Sequence, residues 1–90
     1  MKFEWDPKKA QSNLRKHKVS FEEASTVMSD PMAGTGADPD HSFAEDRYVT
    51  FGVSKQDRLL VVAHADRAET IRIIGARVAN KVERKVYEEG

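Results

Sequence analysis

Residues 59–77, LLVVAHADRAETIRIIGAR, carry the reading of the fold. The first seven are almost wholly apolar, the last eight are rich in isoleucine, and DRAE lies between them. That pattern predicts two strands joined as an antiparallel hairpin. The unusual content is charge: His64, Arg67, Arg72 and Arg77 are set into otherwise apolar strands. Either they line an anion site or they decorate a solvated sheet face.

Strand side chains alternate, so the length of the hairpin loop decides which of them meet. Ile71 and Ile73 share a face, and Leu59, Val61, Ala63 and Ala65 are their natural core partners. That pairing predicts an odd-numbered loop. It places His64 across from or diagonal to Arg72 on the second face, with Leu60, Val62, Thr70 and Ile74. An even loop would put Arg72 among those core residues, where an unpaired guanidinium costs several kcal/mol. Arg77 has the wrong parity to join Arg72 in a regular strand. Gly75 offers the site of a bulge that re-aims Arg77; alternatively the strand ends at Ala76 and Arg77 begins the connection to a helix.

Working outward, RYVTFGVS (47–54) is β-branched and aromatic and extends the hairpin into a three-stranded meander, with KQD as its other turn. KFEWD (2–6) alternates and reads as a short strand with Phe3 and Trp5 in the core. Asp6-Pro7 starts a helix as N-cap and first helical residue, with Ala10, Leu14 and His17 on one face. Ser20-Phe21-Glu22-Glu23 has the capping-box spacing for a second helix that Asp30-Pro31 ends. A long acidic loop follows at about 30–46. A closing helix begins at Val78 or Ala79, with Val82 and Val86 inward and Glu83, Arg84 and Tyr87 outward. The order is β-α-α-β-β-β-α: an α+β fold with a small antiparallel sheet packed with helices, one domain over 1–90.

Composition excludes much. The 90 residues contain no cysteine, hence no disulfide, thiolate metal site or cysteine nucleophile. No apolar run approaches a membrane span, and the start of the chain lacks a signal peptide's apolar region, so a cytoplasmic protein is expected. Net charge is zero but unevenly spread. Residues 1–20 hold six Lys/Arg and two acids, 21–46 hold seven acids and no Lys/Arg, and 47–90 hold nine Lys/Arg and six acids. Local potential, more than the total, decides whether such a chain attracts a polyanion.

A histidine and two arginines on one sheet face suit a phosphodiester, because the guanidinium fork matches phosphate oxygens. Glu83, Arg84 and Tyr87 can add a base, a further clamp and a phenol; the bland alternative is that these groups bind one another or the acidic loop. Lys9, Asn13 and His17 form a helical stripe that either flanks an RNA groove or is simply solvated. Asp38, Asp40 and His41 lack convergent spacing for a metal. No phosphate-binding loop, dinucleotide fingerprint or nucleophile elbow is present.

The stretches FEWDPKKAQSNLRKHKVSFEEA, DPDHSFAEDRYVTFGVS and RLLVVAHADRAETIRIIGARVANKVERKVYEE occur in this order over nearly the whole chain. Together they resemble the BrnT family of bacterial toxins. The resemblance implies a RelE-like fold and a ribonuclease that arrests translation without a cofactor. It also implies a BrnA-like antitoxin with a ribbon-helix-helix DNA-binding domain, operator DNA being reached only through that antitoxin. On the family's C-terminal signature fall His64, Arg67, Arg72, Arg77, Glu83, Arg84 and Tyr87; on its N-terminal helix fall Lys9, Asn13, Lys16 and His17, which with Arg67 and Arg84 would contact RNA. Two positions depart: Gly75 where the family often has Ser, and Lys18 where it often has Gly, which leaves the first helix without a glycine C-cap.

The chemistry so implied is attack of a ribose 2′-OH on the adjacent phosphate. Arg72 and Arg77 would stabilise the growing charge, His64 or Glu83 would be the base, and Tyr87 or His64 the acid. Lack of a metal-ligand set favours this scheme over two-metal hydrolysis. Two other classes compete. One is a non-catalytic module that docks a protein or RNA through the same basic face. The other is direct operator binding, which zero net charge and the lack of a helix-turn-helix pattern disfavour.

Overall fold

A computed structural model describes residues 1–38 and 47–90. In chain order the elements are β1 (Lys2–Glu4), α1 (Pro7–His17), α2 (Phe21–Thr26) continued by a 3₁₀ turn (Val27–Ser29), β2 (Gly34–Ala37), β3 (Arg47–Val53), β4 (Leu59–Arg67), β5 (Thr70–Val78) and α3 (Lys81–Glu89). The strands form one mixed sheet in the order β1-β5-β4-β3-β2. β1 runs parallel to β5, and the other pairs are antiparallel. The α+β class stands. The sheet is mixed instead of wholly antiparallel, and β2 is a strand within the stretch expected to be loop.

The local signals at the helix starts hold. Asp6 accepts from Lys8 N at 2.8 Å with Pro7 at the first helical position, and Ser20 Oγ accepts from Glu23 N at 3.0 Å. The Ser20 box is not reciprocal, however. The Glu23 carboxylate turns away to Arg58, accepting from Nε at 2.9 Å and from Nη2, and takes a 2.7 Å bond from Ser54 Oγ. Arg58 also reaches Lys18 O, so the pair staples the α1–α2 connection to the β3–β4 turn.

Phe21, Ala24 and Val27 from α2 and its 3₁₀ turn, with Val19, pack on Leu60 and Val62 of β4 and Ile73 and Ala76 of β5. Trp5 meets Phe21 edge-on, with centroids 6.1 Å apart. Gly52 makes this approach possible: a Cβ there would come within 2.8 Å of the Val27 side chain and 3.0 Å of Ala33 Cβ. On α1 the expected face is rotated. Asn13 is buried, whereas Leu14 and His17 are exposed. Asn13 Nδ2 donates to Val19 O (2.9 Å) and Ala76 O (2.8 Å), and its Oδ1 accepts from Ala76 N (3.1 Å). A polar clamp thus holds α1 to β5, which apolar periodicity could not reveal.

The β4–β5 register overturns the odd loop. His64 faces Ile73, Ala65 faces Arg72 and Arg67 faces Thr70, leaving a two-residue turn, Ala68-Glu69. Ala68 takes φ 52°, the backbone that tight hairpin turns use. Apolar bookkeeping fails here because β4 is covered on both faces, so its apolar residues do not alternate. Ile71 and Ile73 pair with the even-numbered side of β4, and His64 goes into the helix-covered core with them.

The register then shifts. Ala63 faces Gly75, so Ile74 is an extra residue on β5, and beyond it Ala76 faces Val62 and Arg77 faces Val61. This is the bulge expected beside Gly75, and it does re-aim Arg77. Arg72 before it and Arg77 after it both project from the second face, opposite α1 and α2.

Candidate functional site

On that second face, Ala65 is flanked by Arg47 of β3 on one side and Arg72 of β5 on the other, with Arg67 two residues along β4. Neighbouring strands lie roughly 4.8 Å apart, so three guanidinium-bearing residues surround one small side chain. Arg72 Nη1 donates to Glu4 Oε2 at 2.5 Å, from the paired residue of β1. Arg77, opposite Val61, stands roughly 13 Å further along the sheet, four β4 residues away. Its Nη1 and Nη2 donate to the two oxygens of Glu83 at 2.7 and 2.8 Å.

Glu83 is held from two directions. It completes a reciprocal capping box, accepting from Asn80 N at 2.9 Å while Asn80 Oδ1 accepts from Glu83 N at 2.8 Å. The Arg77 fork, helped by the Asn80 amide, holds the Glu83 carboxyl below the usual range, and the same contact raises Arg77. Such a carboxylate is a weak base while the pair is intact.

α3 returns across the other half of the second face. Its orientation inverts the expected one: Val82 and Val86 are exposed, while Glu83 and Tyr87 are the half-buried residues. Tyr87 Oη donates to Asp30 Oδ2 at 2.6 Å, and that oxygen also accepts from Val53 N at 2.8 Å. The shared proton lowers the Asp30 carboxyl and raises the Tyr87 phenol, so the phenol stays protonated. Beside α3 lies an open groove of about 740 Å³ lined by Met32, Val49, Phe51, Val86 and Tyr87 among others. Its apolar walls suit no phosphate, which leaves the Ala65 end and Arg77 as the anion-attracting part.

His64 is absent from this face. It is 2% exposed, stacks on Tyr48 with centroids 6.0 Å apart, and has both nitrogens engaged. Nδ1 pairs with Asp66 Oδ1 and Nε2 with Thr50 Oγ1, each at 2.7 Å, and Thr50 in turn meets Thr35 Oγ1 at 2.7 Å. The expected grouping of His64 with Arg72 therefore does not form. Of the other expected residues, Arg67 joins the face, Arg84 is exposed on α3, and Lys9, Lys16 and His17 are exposed on α1 in the other layer. Asn13 has both amide hydrogens committed to backbone. Arg47 was missed by sequence reasoning; the parity of β3 against β4 would have found it once that register was known.

Among the described residues, no group of three or more His, Asp or Glu side chains is placed to hold a metal. Asp40 and His41 lie outside the described residues. Among the described helices none is long and apolar enough to cross a membrane.

The sequence model of a known family, the ribonuclease toxin BrnT of type II toxin–antitoxin systems, matches residues 5–83. The fold is similar to the 1.1 Å crystal structure of the Brucella abortus ribonuclease toxin, BrnT, with a TM-score of 0.67. The two are 24% identical, and the match covers 90% of this chain and 99% of that one. At that identity the likeness speaks for the fold. No curated protein matches the chain.

Proposed function

This chain belongs to the BrnT family of ribonuclease toxins of type II toxin–antitoxin systems, and from that premise we propose that it cleaves RNA without a metal, through the second face of its sheet. The observation that carries the reading is the Ile74 bulge, which turns Arg72 and Arg77 to one side. Arg47, Arg67 and Arg72 would hold one stretch of RNA backbone, with Arg84 of α3 as a further contact. Arg77 would meet the scissile phosphate, where preorganised donors stabilise the charge that grows on the oxygens.

The Arg77–Glu83 pair supplies a way to generate the base. A phosphate competing for the Arg77 fork releases Glu83, whose carboxyl then rises towards its ordinary range. The freed carboxylate takes the proton of the attacking 2′-OH as oxygen bonds to phosphorus. The 5′-oxygen leaves with a proton from Tyr87, which the fold keeps protonated. His64, sealed beneath Tyr48, positions β4 and touches no substrate.

The products would be a 2′,3′-cyclic phosphate and a 5′-hydroxyl end. Cleavage of RNA in EDTA with those termini is the expected result. Loss of cleavage on chelation, or a 5′-phosphate product, would overturn the scheme. Arg77→Ala should abolish cleavage in a folded protein. The rival reading, a non-catalytic docking face, draws on the pairing of Arg72 and Arg77 with carboxylates; it requires Tyr87→Phe to keep full toxicity. The partner we propose is a BrnA-like antitoxin with a ribbon-helix-helix domain, carrying all operator contacts. Its co-expression should restore growth and the toxin alone should give no operator gel shift. RNA as substrate places the activity in the cytoplasm.

A further inference from the structure

The outer surface of α1 is the other basic region, and it differs in kind from the arginine face. Lys8, Lys9, Arg15 and Lys16 are all exposed. At 100° per residue they fall in one outward arc of about 120°, with Ser12 inside it, along about 12 Å of helix. From residue 7 to residue 21 there is no acidic side chain. Arg58, Arg72 and Arg77 each have a carboxylate. None of the four α1 cations has an ion-pair partner among the described residues.

Helix stability does not account for the stripe. Arg15 and Lys16 lie in the last turn, where cations favour the helix dipole, but Lys8 and Lys9 lie in the first turn, which holds no acid. Cations there oppose the dipole and cost stability. The stripe also has no apolar member, Leu14 being on another side of the helix. A protein interface is anchored by apolar or aromatic side chains, and a membrane-surface helix needs an apolar face. A run of charge and hydroxyl alone is complementary to a phosphate backbone.

The route between the two basic regions is short. Asn13 fixes α1 to Ala76 on β5, and β1 covers only Thr70–Arg72 of that strand. Beyond Arg72, β5 is the outer strand of the sheet among the described residues. A single strand leaving Arg77 therefore passes around one strand to reach α1.

We infer that Lys8, Lys9, Arg15 and Lys16 form a second docking surface for the backbone of the RNA substrate, on the side of the sheet opposite Arg72 and Arg77. The inference rests on the reading of this chain as an RNA-cleaving protein and adds where uncleaved flanking RNA is held.

The test measures binding of single-stranded 2′-O-methyl RNA, which cannot undergo the in-line attack, across a salt series. Each phosphate contact on a single strand contributes about 0.7 to the log–log salt slope. Replacing all four with glutamine should flatten that slope by about 3 and weaken binding about tenfold or more at low salt. Circular dichroism reports that α1 is intact. The pair Lys55→Gln and Lys85→Gln, exposed cations elsewhere, should leave slope and affinity unchanged. An unchanged slope in the fourfold variant, or an equal loss in the control pair, overturns the docking surface and leaves the cleavage scheme standing. Loss of antitoxin binding with RNA binding intact also overturns it, marking the stripe as a protein interface. Failure of the unaltered protein to bind the RNA defeats both readings together.

Discussion

Lys18 sits at φ 60°, the left-handed C-cap of α1, with its N–H bonded to Leu14 O. A side chain in that conformation is strained, and glycine is not. Lys18→Gly should stabilise the fold by about 0.5–1 kcal/mol, read as a higher urea midpoint with an unchanged slope. The backbone carbonyl that Arg58 uses is retained. Here the residue scale was legible, because a cap is a local matter and the sequence offers no glycine to end α1. Asp6 and Ser20 were legible for the same reason. His64 was not: its neighbours Thr50 and Tyr48 come from β3, and its face depends on a two-residue turn that composition does not specify.

At the scale of elements, α3 is held by a few polar contacts instead of an apolar seam. Glu83 grips Arg77 and Tyr87 grips Asp30, while Val82 and Val86 face out. Tyr87→Phe should leave the core amides as protected as before and speed hydrogen exchange selectively in residues 81–89. Uniform loss of protection would refute that independence. Hydrophobic periodicity pointed α3 the wrong way because its inward residues are the hydrogen-bonding ones. β2 was missed for a related reason. GTGA has no buried side chain, and it is a strand only because Gly34–Ala37 find partners on β3. Elements made by pairing alone leave no local trace.

For the whole molecule, acid is the natural probe. Glu23, Asp30 and Glu83 are all held below the usual carboxylate range, by Arg58, Tyr87 and Arg77 respectively. A depressed folded value contributes stability that is complete above the unfolded value and lost as pH falls through the folded one. The urea midpoint should therefore be level down to about pH 5 and fall below about pH 4. Glu23→Gln should start lower, because Arg58 loses its partner, and should fall less steeply in acid. An equally steep fall would place the acid sensitivity elsewhere. The class of fold and the order of most elements could be read from the chain. The distribution of charge over its two sides could be read only in part, since the apolar pattern points the hairpin register the other way and the re-aiming of Arg77, anticipated as one of two alternatives, turns on one extra residue.

That residue, Ile74, gives β5 two phases of alternation, one on each side of it. The strand should then tolerate the loss of that one residue. Removing Ile74 would merge the two phases into one regular ladder, because Ile73 already faces His64 and Gly75 already faces Ala63. Arg77 should stay on the second face and Ala76 in the core, with soluble protein as the expected outcome. The length of this strand is thus free to vary by one residue at the bulge without carrying a charge from one side of the sheet to the other.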